Sequence, residues 1–68
     1  MDFGMRLQEV RQANNITQKQ MAVILGVTER TYQRYEAGSS YPSFKLLVLI
    51  ANHLNVTTDY LLGRTDTH

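Results

Sequence analysis

Two short apolar-striped segments meet across the dipeptide Gly26-Val27, and that junction constrains the fold more than any other feature of the chain. The first segment opens at Thr17-Gln18-Lys19-Gln20. This is a capping-box pattern, in which the Thr17 hydroxyl and the Gln20 side chain satisfy orphan backbone donors reciprocally. Met21, Ala22 and Leu25 follow as its apolar stripe, and Gly26 is a helix-stopping residue with Val27 as the apolar contact beyond it. Thr28 then caps a second helix, expected from Glu29 to Ala37 and ended by Gly38. Glu29 is favourably placed in its first turn, and Tyr32 and Tyr35 supply its inner side. Helices this short are marginal alone, so each must bury its stripe on the other and on the rest of the chain. A short Gly-containing joint sets two helices roughly 90–120° apart. The outer face of the second, with Glu29, Arg30, Thr31, Gln33 and Arg34, then projects from the domain.

The remaining segments can supply that rest. Phe3, Leu7, Val10 and Ala13 recur at helical spacing and predict a helix from Phe3 to Asn14. Asn14-Asn15 stops it, and Ile16 returns the chain to the core. Ser39-Ser40-Tyr41-Pro42 reads as a loop. A fourth helix starts at Ser43, with Phe44, Leu47, Val48, Ala51 and Leu54 inward, and ends at Asn55, after which Val56 packs back. A final turn capped by Thr57 or Thr58 carries Tyr60, Leu61 and Leu62. No stretch alternates with period two. The expectation is an all-α, compact five-helix domain over residues 1–63, with 64–68 a frayed tail.

Length and composition narrow the chemistry. With 68 residues there is room for one core. The absence of cysteine excludes a disulfide framework and a thiolate zinc site, so the fold must close on apolar packing, as suits the reducing cytosol. No apolar run approaches the roughly 20 residues of a membrane span. Met1-Asp2-Phe3 lacks the basic-then-apolar layout of a secretory signal, and an intracellular protein is expected. Catalysis finds no constellation. His53 and His68 lack a second ligand at metal spacing, Ser39 and Ser40 lack a nucleophile elbow, and the glycines stand at ends or turns rather than in a phosphate loop. Neither an enzyme, a metal site nor a bound cofactor is expected.

The run Thr17-Gln18-Lys19-Gln20-Met21-Ala22-Val23-Ile24-Leu25-Gly26-Val27-Thr28 resembles the helix-turn-helix of the phage-repressor family, the Cro-like or XRE type, with its lambda-repressor-like domain. Leu7, Val10 and Arg11 before it continue the likeness, as do Tyr32, Arg34, Tyr35, Glu36, Gly38, Pro42-Ser43, Leu54-Asn55-Val56 and Asp59-Tyr60-Leu61-Leu62 after it, so that it covers residues 6–62. The resemblance implies a cytoplasmic, bacterial or phage-encoded transcriptional regulator that binds double-stranded DNA sequence-specifically. It further implies a repressor that occludes a promoter as a homodimer, at least on DNA, with half-sites about 34 Å apart. The motif, about residues 17–36, then places Thr28, Glu29, Arg30, Thr31, Gln33 and Arg34 against base edges in the major groove. Arg30 and Arg34 suit guanine and Gln33 adenine, while Glu29 either accepts from cytosine or repels wrong sequences. Arg11, Thr17, Gln18, Ser39, Ser40, Tyr41 and Lys45 are the candidates for phosphate contact, which positions without specifying. Gln18 also braces the recognition helix, and Arg11 and Glu36 resemble the family's ion pair between the first and third helices.

Against that family pattern, Val23, Ile24, Leu46 and Leu49 stand where charged or polar residues are usual. Leu46, Leu49 and His53 share one stripe of the fourth helix, and with Val56 and Tyr60 they form a candidate self-association surface. Local padding of a small core accounts for the same residues. The competing function is an adaptor or antitoxin subunit that uses this fold to hold a protein partner.

Overall fold

The computed structural model describes residues 2–66, and these form five helices with no strand among them. The order is α1 (Phe3–Ala13), α2 (Gln18–Leu25), α3 (Glu29–Ala37), α4 (Phe44–Leu54) and α5 (Thr58–Leu61). Each helix begins on a side chain that accepts from a backbone N–H in its first turn: Asp2, Thr17, Thr28, Ser43 and Thr57 respectively. The capping box at α2 is complete. Gln20 N–H donates to Thr17 Oγ1 at 3.0 Å, and Thr17 N–H donates to Gln20 Oε1 at 2.8 Å. The α2–α3 joint turns at Gly26, whose φ of 71° is a left-handed conformation that a side chain would strain. Asn15 and Asn55 take the same region, each at φ 58°, and end α1 and α4.

One side chain from each helix is fully buried where the five meet: Leu7, Met21, Tyr32, Ile50 and Leu61. Phe3, Val10, Ala22, Leu25, Tyr35, Ala51, Leu54 and Tyr60 surround them, and Ile16, Ile24, Val27, Leu46, Leu47 and Val56 pack on the rim. The Tyr32 and Tyr35 rings meet edge-on at 6.2 Å.

Two expected inward positions and one expected surface position need correction. Ala13 is exposed, because the buried stripe of α1 runs instead through Phe3, Gly4, Arg6, Leu7, Val10 and Arg11. Phe44 is 82% exposed, because the buried stripe of α4 runs through Ile50, Ala51 and Leu54, with Leu46 and Leu47 packed on its rim. Tyr60 is buried rather than available for association. Its ring lies 4.0 Å beneath the Arg6 guanidinium, and its carbonyl accepts from Arg6 Nη1 at 3.2 Å. Past α5, Arg64 N–H donates to Asp59 O at 2.9 Å and Thr65 O accepts from Arg6 at 3.5 Å. Residues 67–68 of the expected tail lie outside the described residues.

Candidate nucleic-acid interface

The angle at which α3 leaves the domain is set by one carboxylate. Glu36, near the C-terminal end of α3, accepts from four donors. Arg11 of α1 supplies Nε at 2.6 Å and Nη2 at 3.3 Å, Gln18 of α2 supplies Nε2 at 2.9 Å, and the Tyr32 hydroxyl closes the set at 2.5 Å. Arg11 spends a further donor on Ile16 O at 2.7 Å, on the loop into α2. Three helices and a loop therefore converge on a pair whose side chains are only 8% and 5% exposed. Burial by itself would raise the Glu36 carboxyl, but the hydrogen bonds from Arg11, Tyr32 and Gln18, with the Arg11 charge, outweigh it and hold the group below its ordinary value. Burial, followed by the bond to Glu36, pushes the Tyr32 hydroxyl well above the usual phenol range. The bond to Glu36 raises Arg11 against its own burial. A buried ion pair is weak evidence of net stability. What this one secures is geometry, since α3 cannot rotate against α1 and α2 without unmaking the three bonds that Arg11 and Gln18 donate to Glu36.

The opposite face of α3 is the reverse in character. Glu29, Arg30, Gln33 and Arg34 are exposed and Thr31 is half-buried. Gln33 Nε2 donates to Glu29 Oε2 at 3.5 Å across one turn. The Arg30 and Arg34 guanidinium groups, also one turn apart, make no hydrogen bond or ion pair among the described residues. Two like charges at this spacing weaken an isolated helix slightly. The other candidates lie at the start of α2, with Thr17 its cap and Gln18 its first residue, in the segment between α3 and α4, with Ser39, Ser40 and Tyr41, and in the first turn of α4, with Lys45. Ser39 and Ser40 hold the loop to the end of α3 by donating backbone N–H groups to Arg34 O at 3.0 and 3.4 Å. Tyr41 is 71% exposed and tilts against the Phe3 ring at 6.1 Å. Lys45 is exposed.

Several expected site residues are placed otherwise. Arg11 is an interior group with its guanidinium committed to Glu36 and Ile16, which removes it from the surface where phosphate would bind. Thr28 Oγ1 accepts from Thr31 N–H at 3.1 Å and donates to Thr31 Oγ1 at 2.9 Å, so its hydroxyl is consumed in the cap rather than offered to a base. On α4, Leu46 is half-buried against the core, while Leu49 (41% exposed) and His53 face outward, with Val56 half-buried. Sequence reading overlooked Arg6 and Gly4, which stand three residues from core positions of α1 but are interior because of partners on α5 and α3. Among the described residues no cluster of His, Cys, Asp or Glu is arranged to hold a metal, and no helix is long and apolar enough to cross a membrane.

This architecture is that of a helix-turn-helix domain whose second helix carries its functional face outward. The Helix-turn-helix family model matches residues 7–61, and the chain belongs to that family, a group of DNA-binding, non-enzymatic domains. It is 41% identical over 63 residues to the SPbeta prophage-derived HTH-type transcriptional regulator YonR of Bacillus subtilis, covering 93% of this chain and 58% of that protein. It is 42% identical over 67 residues to the cryptic phage CTXphi transcriptional repressor RstR of Vibrio cholerae, covering 98% and 60%. A transcriptional regulator from Listeria innocua shares the fold with a TM-score of 0.85 at 26% identity, over 91% of this chain and 58% of that one. The chain thus spans little more than half the length of the relatives it matches.

Proposed function

We propose that this chain is the sequence-specific, double-stranded-DNA-binding part of a transcriptional repressor, acting by promoter occlusion as a dimer. The observation that carries this reading is the polarity of α3, clamped on one side through Glu36 and presenting two unpaired arginines on the other. With α3 in the major groove, Arg30 and Arg34 fork onto guanine O6 and N7, and Gln33 meets a neighbouring edge with Glu29 against it. Thr31 lies beside them, half-buried, with its hydroxyl accepting from Thr28. Gln18, Thr17, Ser39, Ser40, Tyr41 and Lys45 hold the phosphates on either side.

The test is selection from a randomised duplex pool, followed by titration of the winning site with wild type and Arg34→Ala at several salt concentrations. The expected result is a two-fold-symmetric motif, with the variant losing about 1–3 kcal/mol of discrimination at one position per half-site. Weak, similar binding to every duplex would overturn the reading. In that event the shallow apolar groove over α2, lined by Ile16, Val23, Ile24 and His53, favours the protein-partner reading instead.

A further inference from the structure

The recognition face carries two i, i+4 pairs of opposite kind, and only one of them is already bonded. Arg30 and Arg34 repel one another. Glu29 and Gln33 are joined, Gln33 Nε2 donating to Glu29 Oε2 at 3.5 Å. The direction of that bond follows from chemistry alone: a carboxylate only accepts, so the atom that Gln33 turns towards it must be the amide nitrogen. One of the two Nε2 protons is thereby engaged. The outward-facing remainder is one N–H donor beside one carbonyl acceptor. In the major groove that pattern complements adenine, which offers N7 as acceptor and N6–H as donor. It does not complement guanine, whose N7 and O6 both accept and would need both amide protons. A glutamine without Glu29 is free to present both protons and so to accept either purine.

We infer that Glu29 is a positioning residue that restricts Gln33 to adenine. This rests on the DNA-binding reading above. Glu29 touches no base in this role; it acts by occupying a proton on its neighbour. The cap beneath supports the arrangement. Thr28 binds the Thr31 backbone N–H at 3.1 Å and its hydroxyl at 2.9 Å, which holds the first turn of α3, where Glu29 sits, in helical register.

The experiment is the same selection from a randomised duplex pool, run in parallel on wild type, Glu29→Ala and Gln33→Ala, with thermal melts to establish that each protein is folded. Both positions are exposed, so folding is expected to survive. In the wild-type motif, the position that Gln33→Ala randomises is expected to read adenine over guanine by about tenfold or more. Glu29→Ala keeps the purine preference there but brings adenine and guanine to within about threefold, leaving the guanines read by the arginines unchanged. Retention of the full adenine preference in Glu29→Ala overturns the inference while leaving DNA recognition intact. So does a position that reads a pyrimidine or guanine in wild type. No enriched motif for wild type overturns both readings together.

Discussion

At the scale of single residues, Glu36 is the group on which most depends. Replacing it with alanine strands the Arg11 guanidinium in an environment where it is 8% exposed, and removes the acceptor for Gln18 and Tyr32 as well. Breaking one half of such a pair typically destabilises by about 3–5 kcal/mol, against a total of roughly 3–10 kcal/mol for a domain this size. Glu36→Ala is therefore expected to be largely unfolded at room temperature, as judged by circular dichroism and a urea midpoint. The same carboxylate links stability to acid. Its folded value lies below the unfolded carboxyl value of about 4.3, so its contribution is complete above that value and is lost as pH falls through the folded one. The wild-type urea midpoint should fall as pH drops below about 4, and Glu36→Gln, with no proton to gain, should show a shallower decline. Equal slopes in the two proteins would remove Glu36 from the acid response. Tyr32 has the opposite sign: its raised value makes its contribution complete below the ordinary phenol value and lost as pH rises beyond it.

At the scale of elements, the crossing of α1 over α3 is a backbone contact. A Cβ built on Gly4 falls inside the Glu36 carbonyl, and 3.1 Å from Tyr35 O. Helix propensity says that Gly4→Ala should stabilise α1 by up to about 1 kcal/mol. The contact says otherwise, since neither carbonyl belongs to a flexible side chain that can yield. Gly4→Ala is expected to destabilise by about 1–3 kcal/mol through a forced shift of the helix pair, and to weaken DNA binding through the altered pose of α3. A higher urea midpoint for Gly4→Ala would show that α1 has room to move away from α3. The helices themselves are short, from 4 to 11 residues. Five side-chain caps, each contributing about 1 kcal/mol, define where they begin, but tertiary burial is what keeps them formed.

At the scale of the whole molecule, size is compatible with the proposed dimer. The domain measures 29 × 23 × 20 Å, and the proposed dimer has to span half-sites about one DNA turn, roughly 34 Å, apart. The surface available for that contact is narrower than the sequence stripe implied. Leu46 is drawn into the core rim and Tyr60 lies under Arg6, which leaves Leu49 and His53 outward with Val56 at their margin. For the proposed dimer, association through so small a patch is expected to be weak in solution and strengthened by DNA. Leu49→Lys is expected to preserve binding to a single half-site and abolish cooperativity between two, measured by titrating duplexes that carry one or both. Undiminished cooperativity in that variant would move the dimer contact elsewhere on the surface. The helix boundaries, the caps at Thr17, Thr28 and Ser43, the Gly26 turn and the outward face of α3 were legible in the chain, because each is decided by residues within three or four positions of one another. The inversion of roles among polar groups was not. That Arg6 and Gly4 are interior, that Phe44 is exposed, and that Gln18 and Tyr32 join Arg11 on Glu36 follow from segments up to 60 residues apart meeting in space. Spacing along a helix says which side chains share a face. Only the packed structure decides which faces lose their water, and a charged residue stays inside only where a partner from another element already waits for it.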